Sequence, residues 1–268
     1  DEKEFAKELS KNFKKKLIIS HFTKKDFFTY LDKCISSIEE PFGGLAIMSS
    51  TKTFENLKKK SIRVLIDGNG VDEILGGYQH HISAFSRNKL DYNIQPVQGL
   101  KIHYPKKIFK KKIKNNVSIF KIQKKFNDPL KDSMFNDLTG SKLRRALLQQ
   151  DHNTMNHSIE TRFPWLNNKL VDFCFSLPND FLVRKNVGKY ILRHSINKKF
   201  FWMPKRPNQT PQTKWMREFV IDKLIKILKK DDEFFDLGIF EKKILIGELS
   251  NWKKSNLNNS VFVWYFLM

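Results

Sequence analysis

The chain has 268 residues, of which 40% are hydrophobic, with 24 Phe and 5 Trp; that supply of apolar side chains can fill a core and excludes a disordered composition. It carries 50 Lys and Arg against 28 Asp and Glu, a net charge of +22, and no apolar run approaches the roughly 20 residues that span a bilayer. Cys34 and Cys174 stand far apart, so they make no disulfide framework and read as reduced thiols of a cytoplasmic protein.

The polar start, DEKEFAKELSKNFKKK, has no apolar signal segment. Residues 2–13 repeat apolar positions at helical spacing through Phe5, Ala6, Leu9 and Phe13. LIIS (17–20) reads as a short strand. Residues 24–38 read as a helix with Phe27, Phe28, Leu31, Cys34, Ile35 and Ile38 on one face, interrupted by Pro41 and Gly43-Gly44. A further helix over 45–58 leads to IRVLI (62–66), a buried strand, and then to the glycine-rich DGNGVDEILGGY (67–78).

This alternation predicts an α/β unit with a parallel sheet over residues 1–90. Residues 91–268 read as mainly helical, with helices over 128–150, 166–177, 187–198 and 213–230, all within one unit. Residues 88–127 are the most polar and basic stretch and carry no clear element. The closing SVFVWYFLM reads as buried core. The basic runs at 13–17, 57–63 and 106–114 are scattered. The charge therefore reads as solvated surface in a Lys-, Asn-, Ile- and Phe-rich chain more than as a nucleic-acid stripe, an anionic partner being the alternative.

The glycine turn after the 62–66 strand is the strongest site signal, because ligands of open parallel sheets gather beyond the carboxyl ends of strands. Gly68 and Gly70 permit close backbone approach, so their N–H groups can face phosphate or ribose oxygens. Asp72 stands at the start of the next helix, where its carboxylate can hold Mg2+; Glu73 is its neighbour. Gly76-Gly77 let that helix end or pack tightly. A glycine turn with Asp72 as a plain N-cap reads as well on residue types alone.

VLIDGNGVDEILGGY resembles the asparagine-synthetase family motif V-L-L-S-G-E-G-x-D-E-L-F-G-G-Y, and IEEPFGG (38–44) resembles that family's E-E-P segment. LLQQDHNTMNHSIETRFPWLNNKLVDFCFSLP (147–178) is similar to its L-x-x-x-D-R-x-S-M-x-x-S-x-E-x-R-x-P-F-L-D block. GKYILRHSINKKFFWMPKRPNQTPQTKWMRE (188–218) is similar to its K-x-x-L-R segment and the following P-x-x-x-W. The resemblance implies a partial parallel-sheet ATP-pyrophosphatase domain (adenine nucleotide α-hydrolase-like) followed by a helical half, with ATP and Mg2+ as cofactors. The implied chemistry is adenylation of the aspartate side-chain carboxylate and amide formation with ammonia, which a glutaminase domain or separate chain supplies.

By the same resemblance, Asn69 and Lys205 fall at catalytic positions, Asp67, Gly68 and Gly70 at the ATP, and Asp72 at the metal. Glu73, Glu160, Arg162, Lys189 and Arg193 fall at substrate or structural positions. For Glu160 and Arg162 the residues themselves read as a loop between helices, the two pairing with each other as a buried ion pair or with substrate; Lys189 and Arg193, four apart, read as one helix face.

Four departures stand against the pattern. No stretch upstream of residue 62 resembles the family's S-G-G-x-D-S pyrophosphate loop, and no glutaminase domain is recognisable. Asn69 replaces the frequent Glu of G-E-G and cannot serve as acid or base near neutral pH. His152 and Thr154 replace the Arg and Ser of D-R-x-S-M. These suggest a fragment, or one half of a split gene whose other half supplies the loop, with little activity alone. An amidotransferase for another carboxylate, such as a sugar acid of a surface polysaccharide, and an inactive basic binding module are the alternatives.

Overall fold

The computed structural model describes residues 3–88, 106–110, 123–196, 210–255 and 260–268. Helix α1, Lys3–Asn12, forms where the spacing predicts, yet none of its residues is buried. The strand expected at 17–20 does not form: residues 15–23 have no regular structure and Ile19 is exposed. A strand needs a neighbour to take up its N–H and C=O groups, and this run has no ladder partner among the described residues.

Helix α2, Phe27–Ile38, buries Phe27, Tyr30, Leu31, Cys34 and Ile38. Ile35, expected on that face, points outward and is 44% exposed. Glu39, in the left-handed region at φ 58°, ends α2 and turns the chain into α3, Leu45–Lys58. Strand β1 is shorter than expected, Val64–Ile66, and helices α4, Val71–Ile74, and α5, Gln79–Arg87, follow it.

In the second half, the helix expected over 128–150 is two: α6, Pro129–Thr139, and α7, Ser141–Met155. The extended Gly140 breaks them, and a Cβ there would lie 2.3 Å from the Asn136 carbonyl oxygen. Strand β2, Glu160–Arg162, precedes α8, Asn168–Ser176, and α9, Asn179–Leu182. A small antiparallel hairpin, β3 Val183–Arg184 and β4 Val187–Gly188, takes the start of the helix expected over 187–198, leaving α10 as Tyr190–Ser195. Helix α11, Gln212–Trp215, runs through a π-helical turn, Met216–Val220, into α12, Ile221–Lys230. Helices α13, Asp232–Asp236, α14, Lys242–Lys254, and α15, Ser260–Tyr265, close the described chain.

The parallel sheet joins the halves. β1 pairs with β2 in the register Val64↔Glu160, Leu65↔Thr161, Ile66↔Arg162. β2 lies in the part expected to be helical, so the sheet crosses the boundary near residue 90. β1, expected buried, is exposed: Val64 is 42% and Ile66 73% accessible. Side chains two apart share a sheet face, and no described element covers the face that these two share.

Two cores hold the molecule. One is built on α2, α3, α12, α14 and α15 and includes Phe27, Met48, Val220, Leu245 and Trp264. Trp264 Nε1 donates to the Phe42 carbonyl at 2.7 Å, and Phe262, Val263 and Trp264 of the closing apolar segment are buried, whereas Tyr265, expected in the core with them, is exposed. The other core gathers Ile74, Leu130, Met134, Cys174 and Leu182 behind α4. Both cysteines are buried free thiols, and burial raises both above the ordinary thiol range. Among the described residues no helix is long and apolar enough to cross a membrane.

Candidate active site

β1 delivers the chain into the turn Asp67–Gly70. The Asp67 N–H donates to the Arg162 carbonyl at 3.0 Å, extending the ladder by one bond. Asp67 Oδ1 then accepts the Asn69 N–H at 2.8 Å, which folds the backbone back on itself. Gly70 sits at φ 98° as the N-cap of α4, and a Cβ there would lie 2.3 Å from Leu166 Cδ2. Only glycine satisfies both the left-handed conformation and that contact. Gly68 is exposed at the tip.

Asp72 does not cap the helix, since Gly70 does; it projects from the first turn of α4. Its Oδ1 lies 3.0 Å from Lys189 Nζ, with the two side chains 24% and 20% exposed. Lys189 reaches this place because its own backbone is left-handed, at φ 56°, and its N–H donates to the Leu75 carbonyl at 2.9 Å. Gly77 makes room: a Cβ there would fall 1.9 Å from Asp72 Oδ1 and 2.5 Å from Lys189 Cε. Glycine at 77 and the pair are therefore one arrangement.

Glu73 turns the other way, into the protein, and is 3% exposed. Burial raises its carboxyl above the usual range, while the Tyr78 hydroxyl donates to Oε1 at 2.7 Å. The Tyr78 phenol is itself pushed well up by burial and by the Glu73 charge, which keeps its proton in place. Asn69 lines a separate small cleft with Ile47, Ser50, Ala146, Gln149, Gln150 and Asn153. Its polar lining is neutral, and the buried Oδ1 of Asn153 has no hydrogen-bond partner.

The other candidate residues divide. Glu160 and Arg162 pair with each other at 2.8 Å, as expected, but they lie on β2 and not in an interhelical loop. They are also exposed and not buried, at 59% and 62%. The guanidinium holds the Glu160 carboxyl below its usual range. Alternation places them on the same sheet face as Val64 and Ile66, with no described layer above it. Lys189 and Arg193 do not share a helix face, because Lys189 precedes α10 as its N-cap; Arg193 Nε donates to the Gly188 carbonyl at 3.2 Å. Lys205 lies outside the described residues. The sequence reading missed the Ser50–Gln149–Asn153 cleft. It joins two helices far apart in the chain, and its neutral polar residues carry no local signal.

The backbone around the E-E-P segment is tied to α7. Gln149 Nε2 donates to the Pro41 carbonyl at 3.3 Å, and His152 Nδ1 lies 3.1 Å from the Ile38 carbonyl. His152, a departure from the resembled motif, thus ties α7 to the end of α2.

A parallel strand, a glycine turn at its carboxyl end and a carboxylate–lysine pair behind it define an α/β protein with its candidate site where such sheets take ligands. The sequence pattern of the family described as "Asparagine synthase" matches residues 1–267, and the chain belongs to that family. It is also similar to the "Putative asparagine synthetase (glutamine-hydrolyzing) 2" of Methanocaldococcus jannaschii, 31% identical over 85 residues. That alignment covers 32% of this chain and 16% of the relative, so the chain is similar to a small part of that protein's length.

Proposed function

We propose that this chain forms part of an ATP-dependent amide synthetase that adenylates a carboxylate, aspartate first among candidates, and passes it to ammonia. One observation carries the reading: in a chain of this family, the turn after β1 brings Asp72 and Lys189 within 3.0 Å of each other at the carboxyl end of a parallel strand. Asp72 can hold a hard cation carried in with phosphate oxygens, since Mg2+ is commonly held by one or two carboxylates plus phosphates, once the Lys189 ammonium that now occupies the same oxygen turns to the phosphates. Asp72 is the ligand on offer. When bound, the ion neutralises phosphate charge. Lys189 then has a second anion to serve besides Asp72, and an ammonium group is suited to that as a point charge.

Asn69 gives hydrogen bonds to the neighbouring cleft and no proton chemistry. Glu73 and Tyr78 hold α4 from behind and stay out of the chemistry. The S-G-G-x-D-S pyrophosphate loop comes, on this reading, from polypeptide outside residues 1–268, as does the ammonia-producing activity.

Residues 1–268 are to be co-expressed with the product of the immediately upstream coding sequence, and aspartate-dependent pyrophosphate release measured. Release by the complex that is lost in Asp72→Asn is the expected result, with residues 1–268 alone at background. A complex inactive with aspartate, or release that ignores Asp72→Asn, overturns the reading.

A further inference from the structure

A second constellation lies just beyond the glycine turn, outside the candidate active site. α5 carries His80 and His81 side by side in its first turn, and α6 packs across α5 and presents Asp137. His80 Nε2 lies 2.7 Å from Asp137 Oδ2, and His81 Nε2 lies 3.1 Å from the same oxygen. The three ligand atoms all fall within 4.8 Å of one another. In a tetrahedral zinc site, bonds of about 2.0–2.2 Å place neighbouring donors roughly 3.3–3.5 Å apart. The two His–Asp distances need open by only a few tenths of an ångström to reach that spacing, and the two ring nitrogens already lie within 4.8 Å of each other.

Hydrogen bonding alone leaves the cluster incomplete. His81 is fully buried, yet its Nε2 lies off the line of an N–H bond to Asp137 and makes no hydrogen bond. A buried ring nitrogen left this way carries a desolvation cost with no return. A metal ion between the three groups would give that nitrogen a partner. The donor set, two imidazoles and one carboxylate, suits zinc and its first-row neighbours better than magnesium or calcium, which take oxygen ligands. The His80 side chain is 33% exposed, so an ion has a way in, and water can complete its coordination.

Two neighbours oppose the ion, and each gives the idea a handle. Lys142 Nζ stands 3.7 Å from Asp137 Oδ2 and 3.2 Å from the centre of the Tyr78 ring. Its side chain is 36% exposed, so it can swing into solvent, but it competes with a cation for the same oxygen. The Tyr78 N–H approaches His81 Nδ1 at 3.5 Å. Ligation through Nε2 puts the ring proton on Nδ1, and that long contact is given up.

We propose that His80, His81 and Asp137 form a binding site for a divalent first-row cation, zinc foremost, which clamps α5 to α6, with Lys142 as the competing charge. The full chain, stripped with EDTA, is to be titrated with zinc chloride by calorimetry and with Co2+ by visible absorption. Expected are one equivalent of zinc and a Co2+ spectrum of nitrogen and oxygen ligation. His80→Ala, at a part-exposed helical position, should weaken binding by more than the roughly tenfold that loss of even an outer-shell partner costs. Lys142→Met should bind several-fold more tightly than the unmodified chain. If circular dichroism shows His80→Ala unfolded, Lys142→Met alone decides. No zinc binding overturns the proposal, as does affinity unchanged by His80→Ala or by Lys142→Met, which would place the ion elsewhere.

Discussion

A methyl group at position 77 would enter the space now held by Asp72 Oδ1, 1.9 Å away, and Lys189 Cε, 2.5 Å away. Gly77→Ala should therefore push the two charges apart or shift the backbone, at a cost of about 1–3 kcal/mol, the range for overpacking. A thermal melt gives the sign directly. Lys189→Ala removes one partner of a pair whose side chains are four-fifths covered. Its cost in a urea titration should fall between the roughly 1 kcal/mol of an exposed pair and the ~3 kcal/mol at which fully buried pairs begin. Asp72 and the two glycines were legible in the sequence because they are neighbours along the chain. The Asp72–Lys189 contact was not, because it depends on how the β3–β4 hairpin lies against the end of α4.

At the scale of elements, α2 and α3 are clamped by ions as well as by apolar packing. Lys52 Nζ meets Asp26 Oδ1 at 2.7 Å, and Glu55 takes Lys33 at 2.7 Å, Lys59 at 2.9 Å and the Tyr30 hydroxyl at 2.9 Å. The Lys52 hydrogen bond, opposed by burial and helped by Thr23, holds the Asp26 carboxyl down to about 2. Lys33 and Lys59 bring Glu55 to about 2 as well. Both carboxyls are depressed in the folded state. Their stabilisation is thus complete above the unfolded values near 4 and is lost as pH falls through about 2. Melting temperature against pH should drop steeply across that window, and Asp26→Asn should flatten part of the drop while lowering the midpoint at pH 7.

The β1–β2 sheet shows where reading by element fails. IRVLI has the composition of a core strand, and its apolar content alone predicts burial. Burial, however, belongs to the neighbours, and Ile66 is 73% exposed. Ile66→Lys should therefore move stability by no more than about 0.5 kcal/mol, the usual surface range. It should also reduce self-association seen by light scattering, since an exposed apolar edge strand invites pairing. β2 escaped notice for a related reason. Three residues, Glu-Thr-Arg, carry no apolar alternation, and only the partner strand makes them a strand. Most helices were legible from their period; the break at Gly140 was read through because the apolar pattern continues on both sides.

For the molecule as a whole, Phe27 is the pivot of the larger core. It is fully buried, with ring centroids of Phe28 at 5.0 Å, Phe219 at 5.4 Å, and Trp215 and Trp264 at 6.5 Å. Phe27→Ala should cost about 3–5 kcal/mol, read as a lower urea midpoint. The net charge of +22 is the other global property. RNA binding measured against salt should be weak and vanish by physiological ionic strength, the behaviour of unspecific counterion release. Retention at higher salt would mean a defined polyanion site.

Trp264 closes on the Phe42 carbonyl across 222 positions of sequence. During synthesis, then, Phe27 and Phe42 wait for α15 until the chain has been made through Trp264, more than two hundred residues later. A nascent chain stalled before Trp264 emerges presents an open aromatic groove, the kind of surface that chaperones cover and proteases find. For this protein, the rate at which the stretch between Phe42 and Trp264 is translated sets how long that exposure lasts.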